Sequence, residues 1–443
     1  MRWEHMNLKR SICIVIYASA GFFSPALLHA ALFEHFVTSA TTMSMGSAVT
    51  AYPEACGGLA VHFNPANLTE FDGVRFDNAL SYVMIYRRLS YEQGIDPDAP
   101  ADDPNKKWAP FGGYFNNGKD PLDGTSEKQA SGYMVFPYVD IAFPYLIAPA
   151  MGIVYKSPEP ESRLSFGFGQ YAPFAVGLKN YDGDGLSFLG KEVFMARMAL
   201  VTPAVAYKLT DDLSVGISVP IGPSLISFET NARTPNTMVA LTGALGDATQ
   251  GLEIPVVSEL TLPPPWFGGG MHPYENTANV KFFTEDYFTT SYNIGVLWQP
   301  FSWFSLGACY ESEAEANMEG DYKITYGQRF QNVVNWLGKS PTTLVSAAMF
   351  DLPYRAVPIQ RGKCTIKMTW PSTIRAGIKL QPIKQLIFTC DVHSTDWKAW
   401  PELRISFDEK IQLLRFARMM GYTGGPKDLV VPFGWGNNTW NAK

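Results

Sequence analysis

Four histidines, His35, His62, His272 and His393, follow the first thirty residues and are the natural place to look for acid–base or metal chemistry. None sits in a helical His-Glu-x-x-His pattern, and none accompanies a Gly-x-Ser-x-Gly nucleophile turn. His393 and Ser394 stand near Asp391 and Asp396, which are the residue types of a hydrolase triad, but no motif arranges them; a hydrolase is the weaker reading. The run Tyr181, Asp182, Gly183, Asp184, Gly185 resembles the opening of a calcium loop but lacks the remaining oxygen ligands, so an ordinary turn is favoured. Cys56, Cys309, Cys364 and Cys390 are widely spaced with no Cys-x-x-Cys pair, and their spacing selects no disulfide pairing. The chain is expected to be no enzyme and to carry no metal and no cofactor.

Two cations raise a different chemistry. Arg375 and Lys379 alternate with Ile374, Ala376, Ile378 and Leu380, so a strand here turns both cations to the face opposite the apolar side chains. There they can hold the carboxylate of an amphipathic ligand or pair with acids of the same interior; pairing with acids is the favoured reading.

The elements that position them share one plan. Residues 213–219, 304–310 and 373–380 alternate at period two, and each belongs to a hairpin: 201–207 with 213–219, 291–298 with 304–310, and 374–380 with 385–393. The turns are short, with Asp211, Asp212, Pro300 and Pro382 as turn formers. Long connections, 89–129, 231–281 and 326–367, separate the hairpins. Short turns at one end and long loops at the other are how outer-membrane barrels are built. A soluble sandwich or propeller also alternates. Against it stand the charged residues on the face opposite the apolar one, the recurring Gly216, Gly295, Gly307 and Gly377 on that face, and the loop lengths. Trp298, Trp303, Tyr310 and Trp370 near strand ends fit an aromatic girdle. Nine or ten strands are expected.

Composition agrees. Hydrophobic residues make up 46% of the 443, yet charged residues only 17%, against roughly 25% in soluble domains. Such a chain has surface that does not face water. After residue 30 no apolar run reaches the ~20 residues of a spanning helix, which leaves a closed barrel. Residues 1–30 read as a signal peptide, with Arg2, Lys9 and Arg10 before an apolar run, and cleavage after Ala30 or, second, after Ala26. An N-terminal anchor helix is the alternative. Residues 1–30 carry +2 of the total −6, so the remainder is −8, and a broad basic surface for nucleic acid is not expected.

A stretch from Met45 through Gly46 and Ser47 to Ala51 leads by Gly57 and Gly58 to Asn64, Pro65, Ala66, Asn67, Leu68 and Thr69. It resembles the N-terminal hatch of the FadL/TodX family of outer-membrane hydrophobic-compound transport proteins. Residues 166–174, 202–209, 368–377, 392–397 and 431–440 are similar to that family in the same order. The resemblance implies an all-β, antiparallel, fourteen-stranded transmembrane barrel, here expected to lack the last strands. Residues 31–72 would be the hatch or plug and 73–443 the barrel. Asn64, Pro65, Ala66, Gly46 and Ser47 would form the hatch, and Phe33 and Phe36 of the N-terminal tail would enter the ligand pocket, unless the tail is disordered. The implied activity is passive uptake of long-chain fatty acids or similar hydrophobic molecules: capture by loops, passage through an apolar pocket, hatch movement and lateral exit. An aromatic-hydrocarbon channel and a structural or adhesive barrel are the alternatives. The expected partners are a hydrophobic small molecule and outer-membrane lipid, and a monomer in the outer membrane of a Gram-negative bacterium is expected. The stretches 260–270 and 333–350 are apolar for exposed loops, the second is expected to form short helices, and together they either bind substrate or pack on each other.

Overall fold

Strands that alternate apolar with small or polar residues need two different surroundings, and the chain folds so that each face finds its own. A computed structural model describes residues 37–432 and 439–442, apart from 85, 92–119, 123, 131, 137–138, 160, 181–186, 235–236 and 254–260. The expected signal peptide, Phe33, Phe36 and the calcium-like run therefore lie outside the described residues.

One sheet of 16 strands dominates. Its strands are β1 (Gly73–Val83), β2 (Leu146–Lys156), β3 (Leu164–Lys179), β4 (Glu192–Lys208), β5 (Leu213–Ser218), β6 (Ile221–Ala232), β7 (Ala278–Thr290) and β8 (Asn293–Phe301). Then come β9 (Phe304–Glu311), β10 (Ala314–Tyr326), β11 (Ile359–Trp370), β12 (Thr373–Ile383), β13 (Leu386–Thr395), β14 (Glu402–Phe407), β15 (Asp428–Pro432) and β16 (Thr439–Ala442). All pairs are antiparallel. The order runs β1–β2–β3–β4 and then forks. The first part of β4 pairs with β6, its last part with β5. From β6 an upper branch continues through β7, β10, β11, β14 and β15; from β5 a lower branch continues through β8, β9, β12, β13 and β16.

The fork arises because each late strand of the wall is broken partway, at residues 219–220, 291–292, 312–313, 371–372 and 396–401. Rejoined across these five breaks, the sixteen segments make eleven passes among the described residues. Burial inverts at this seam. In β8 and β9 the small or polar Asn293, Gly295, Ser305, Gly307 and Cys309 are buried, while Ile294, Val296, Trp298, Leu306 and Tyr310 are exposed. Above it, in β10, the apolar Met318, Tyr322 and Ile324 are buried and Glu315, Asn317, Glu319, Asp321 and Lys323 exposed. The side-chain period is two, so one extra residue at 312–313 suffices to exchange the faces.

Below the seam, β8, β12 and β13 have 9, 11 and 10 residues, enough for the ~9–11 of a tilted membrane-crossing strand. Their outer face is apolar and ends in aromatic residues. Trp298, Phe301 and Trp303 lie at the short-turn end, Tyr292 and Tyr310 at the seam end. Trp370 departs from the girdle expectation: it is 2% exposed and its indole Nε1 donates to Ser224 Oγ at 2.8 Å. It belongs to the upper branch, where apolar residues face inward. Residues 359–367, expected in a loop, begin β11.

The wall curls around residues 40–71. Gly58 N–H donates to Asp77 on β1, and Thr50 N–H donates to Asp391 on β13, near the other end of the strand order. Among the described residues β1 does not pair with β15 or β16, so the wall is open at that edge. The upper interior is one apolar core including Phe282, Met318, Ile366, Phe407 and Phe416. Helices in the long loops cap it: α1 (Gln328–Trp336) contributes Phe330 and Trp336, α2 (Pro341–Met349) Ala347, and α3 (Gln412–Met419) Leu414.

Candidate functional site

Residues 40–71 fill the lower interior as short helical turns joined by bends. Gly46 and Ser47 both take positive φ, 59° and 63°, and reverse the chain after the first turn. Asn64, fully buried, is extended and caps the 3-10 turn Pro65–Glu70. Proline suits the first helical position, where its missing N–H costs nothing. Asn64 Oδ1 accepts from Ala66 N–H at 3.1 Å. Its Nδ2 donates to Thr50 O at 2.9 Å and, across to the wall, to Val296 O at 3.0 Å. One side chain thus ties two parts of the segment to each other and to β8.

The glycines on the inner face explain this close fit. A Cβ at Gly216 would come within 2.5 Å of the Pro65 carbonyl carbon, and one at Gly295 would collide with Asn64 Oδ1. Small residues there admit the backbone of residues 64–66. Wall side chains supply further bonds: Ser218 Oγ to Val61 O at 2.6 Å, Thr69 Oγ1 to Ser214 Oγ at 2.8 Å, and Lys208 to Glu70 at 3.2 Å.

Arg375 and Lys379 both point inward, 6% and 4% exposed. Lys379 lies against the N-terminal segment, 3.2 Å from Glu54 and 4.5 Å above the Tyr52 ring. Arg375 has another setting. It donates to His62 O at 3.1 Å and to Glu311 Oε2 at 2.5 Å. The other Glu311 oxygen, Oε1, lies 3.4 Å from Arg197 on β4, which also donates to Ser291 Oγ. Two buried guanidinium groups thus share one carboxylate, an arrangement that leaves a formal positive charge. Burying a charge is costly unless it is paired, so this point in the interior favours an anion.

The arginines border a small cavity of about 60 Å³ at the seam. Its opposite side is aromatic: Phe174, Trp370 and Trp397 line it, and Trp400 packs behind them. Phe174 lies 4.9 Å from Trp370 and 5.7 Å from Trp400 between ring centroids. Phe174 is delivered by an irregularity in β3 between Tyr171 and Phe174. The cavity therefore has a polar floor of His62, Arg197, Glu311, Arg375 and His393 and meets the apolar upper core on its aromatic side.

Alternation alone locates Arg375. Arg197, Glu311 and the Phe174–Trp370–Trp397 wall escape it, because they stand where the strands lose their period. The one sequence signal for Arg197 is a lone cation within the apolar run 193–201.

Comparison with known proteins decides the class. A family model described as outer membrane protein transport protein (OMPP1/FadL/TodX) matches residues 29–423. The chain belongs to this family. OMPP1/FadL/TodX proteins are outer-membrane transport channels of Gram-negative bacteria, which places this chain in that membrane and accounts for its exposed apolar band. A FadL homologue from Pseudomonas aeruginosa aligns with a TM-score of 0.57 and 14% identity, over 94% of this chain and 76% of that one. That likeness shows the FadL fold. The CymD monoaromatic hydrocarbon channel aligns at 0.49, with 12% identity over 90% and 77% of the two chains. The toluene transporter TodX of Pseudomonas putida aligns at 0.45, with 13% identity over 87% and 73%. No curated protein sequence matches.

Proposed function

We propose that this family member takes up amphipathic molecules with a carboxylate head and an apolar body, long-chain fatty acids among them, passively across the outer membrane. The observation that carries the reading is the Arg197–Glu311–Arg375 group at the boundary between a polar floor and an apolar interior. A carboxylate settling there meets the surplus cation, while its chain lies against Phe174 and Trp370. Burying that chain gains about 0.8 kcal/mol per methylene. The outward apolar face of α2, with Leu344, Val345, Met349 and the adjoining Phe350 exposed, suits first capture. The 261–270 loop packs against the same helices, through Trp336 Nε1 to Pro263 O at 2.7 Å and Ser340 Oγ to Thr261 O at 2.7 Å. Residues 40–71 act as the hatch, and Asn64, Pro65, Ala66, Gly46 and Ser47 set its shape. A lateral exit at the seam spares the solute an aqueous lumen. The chain works as a monomer surrounded by lipid, as a channel and not an enzyme.

The aromatic wall supports a second reading, an aromatic-hydrocarbon channel, in which the arginines are structural. Uptake by cells lacking their own channel separates the two. Wild type, Arg375→Gln and Phe174→Ala are compared for oleate and toluene. Loss of oleate uptake in Arg375→Gln supports the carboxylate reading. Toluene uptake that depends on Phe174 but not on Arg375 supports the second. Normal surface expression with uptake of neither ligand refutes both and leaves a structural or adhesive barrel.

A further inference from the structure

The outer wall above the seam carries a row of cations. Lys281 on β7 lies directly opposite Lys323 on β10, and Lys323 directly opposite Arg361 on β11. All three are exposed, and Lys363 follows one row nearer the membrane. Like charges facing each other across strands are destabilising, so an unneutralised row invites an outside anion. The neighbouring acids neutralise only its ends. Glu229 lies 3.3 Å from Lys281, and Asp321 lies 2.6 Å from Lys363. Asp408 accepts from the Lys363 backbone N–H at 2.8 Å. Among the described residues Lys323 and Arg361 have no ion-pair partner. The four cations border an open depression in the wall that Phe283, Gly362 and Asp321 also line.

The height of the row selects the occupant. Lys281 precedes Tyr287 and Phe288, the exposed aromatic residues that top the apolar band on its strand, by about six residues, or roughly 15 Å for strands rising ~3.4 Å per residue at ~40° tilt. A phospholipid headgroup layer adds only about 5–8 Å to each side of the hydrocarbon. A phosphate on an ordinary phospholipid does not reach the row. We propose that Lys281, Lys323, Arg361 and Lys363 bind the phosphorylated saccharide of an outer-leaflet glycolipid, which laterally clasps the projecting half of the barrel.

The test uses the full-length protein in detergent, incubated with purified lipopolysaccharide and washed, with bound glycolipid read by native mass spectrometry. Lys323→Gln/Arg361→Gln is expected to retain about tenfold less than wild type. Lys384→Gln, at the opposite short-turn end, is expected to match wild type, and heat-dependent gel mobility confirms that each variant is folded. Equal retention by the double variant overturns the proposal. So does full displacement by an equal concentration of inorganic phosphate, which marks a free-anion site. Equal binding to phosphatidylglycerol vesicles through the same residues overturns it as well, because a phospholipid phosphate lies below the row.

Discussion

Replacing Asn64 by Ala removes three hydrogen bonds at once: the turn cap to Ala66 N–H, the bond to Thr50 O and the bond to Val296 O. The lost cap costs about 0.5–2 kcal/mol. Each of the two remaining bonds contributes about 0.5–1.5 kcal/mol. No bulk is added, so the Gly295 surface is undisturbed. Together the change destabilises the docked hatch by about 1.5–5 kcal/mol, and at about 1.4 kcal/mol per decade its undocked population rises roughly ten- to a few-thousand-fold. Hydrogen exchange on the purified protein reads this directly. Amides of residues 48–67 lose protection, while those of β10 and β11, on the far side of the seam, keep theirs. In cells the same variant takes up substrate at a changed rate. Unchanged protection of residues 48–67 would refute the assignment of Asn64 as the pin between hatch and wall.

Four further outcomes follow from the geometry. Glu311→Gln leaves two buried guanidinium groups without their shared carboxylate and is expected to cost about 3–5 kcal/mol, seen as a lower unfolding temperature in detergent. Gly216→Val pushes a side chain into Pro65 and Ala66 and should release the hatch amides to exchange without unfolding the upper wall. The Cys364 thiol, 1% exposed and pushed up to about 12 chiefly by burial, should resist maleimide at pH 8 until the protein is denatured. Asp351 joins the end of α2 to α3, and its hydrogen bond from Lys410, with Arg415 close by, holds its carboxyl below the usual aspartate range. A lowered carboxylate pKa contributes stability above the unfolded value and loses it as pH falls through the folded one. This loop contact should therefore hold at neutral pH and loosen only below about pH 4, by exchange of residues 341–352.

The wall was legible where alternation persists. Residues 213–219, 304–310 and 373–380 announced their strands, and Arg375 and Lys379 their direction, because a period of two admits one face for each. The segment around Asn64 was legible as a resemblance, and its fit to Gly216 and Gly295 explains the small residues on the inner face. What stayed hidden is the seam. Glu311, Ser312 and Glu313 read as a strand end followed by a turn, and Pro371 and Ser372 as a break. Nothing local says that the strand resumes with its faces exchanged. Trp370 was misplaced for that reason, and Arg197 and Glu311 were passed over.

The exchange of faces has a consequence for how such a chain can vary. A loop tolerates insertions because its length closes a gap at slowly growing cost. The strand just beyond 312–313 does not: with that two-residue break kept, losing a single residue after Ala314 would carry Glu319 and Lys323 inward and Met318 and Ile324 outward, with the composition otherwise nearly intact. The seam works as a reading frame written in hydropathy: two messages of opposite sense share each strand, and one unpaired residue keeps them in phase.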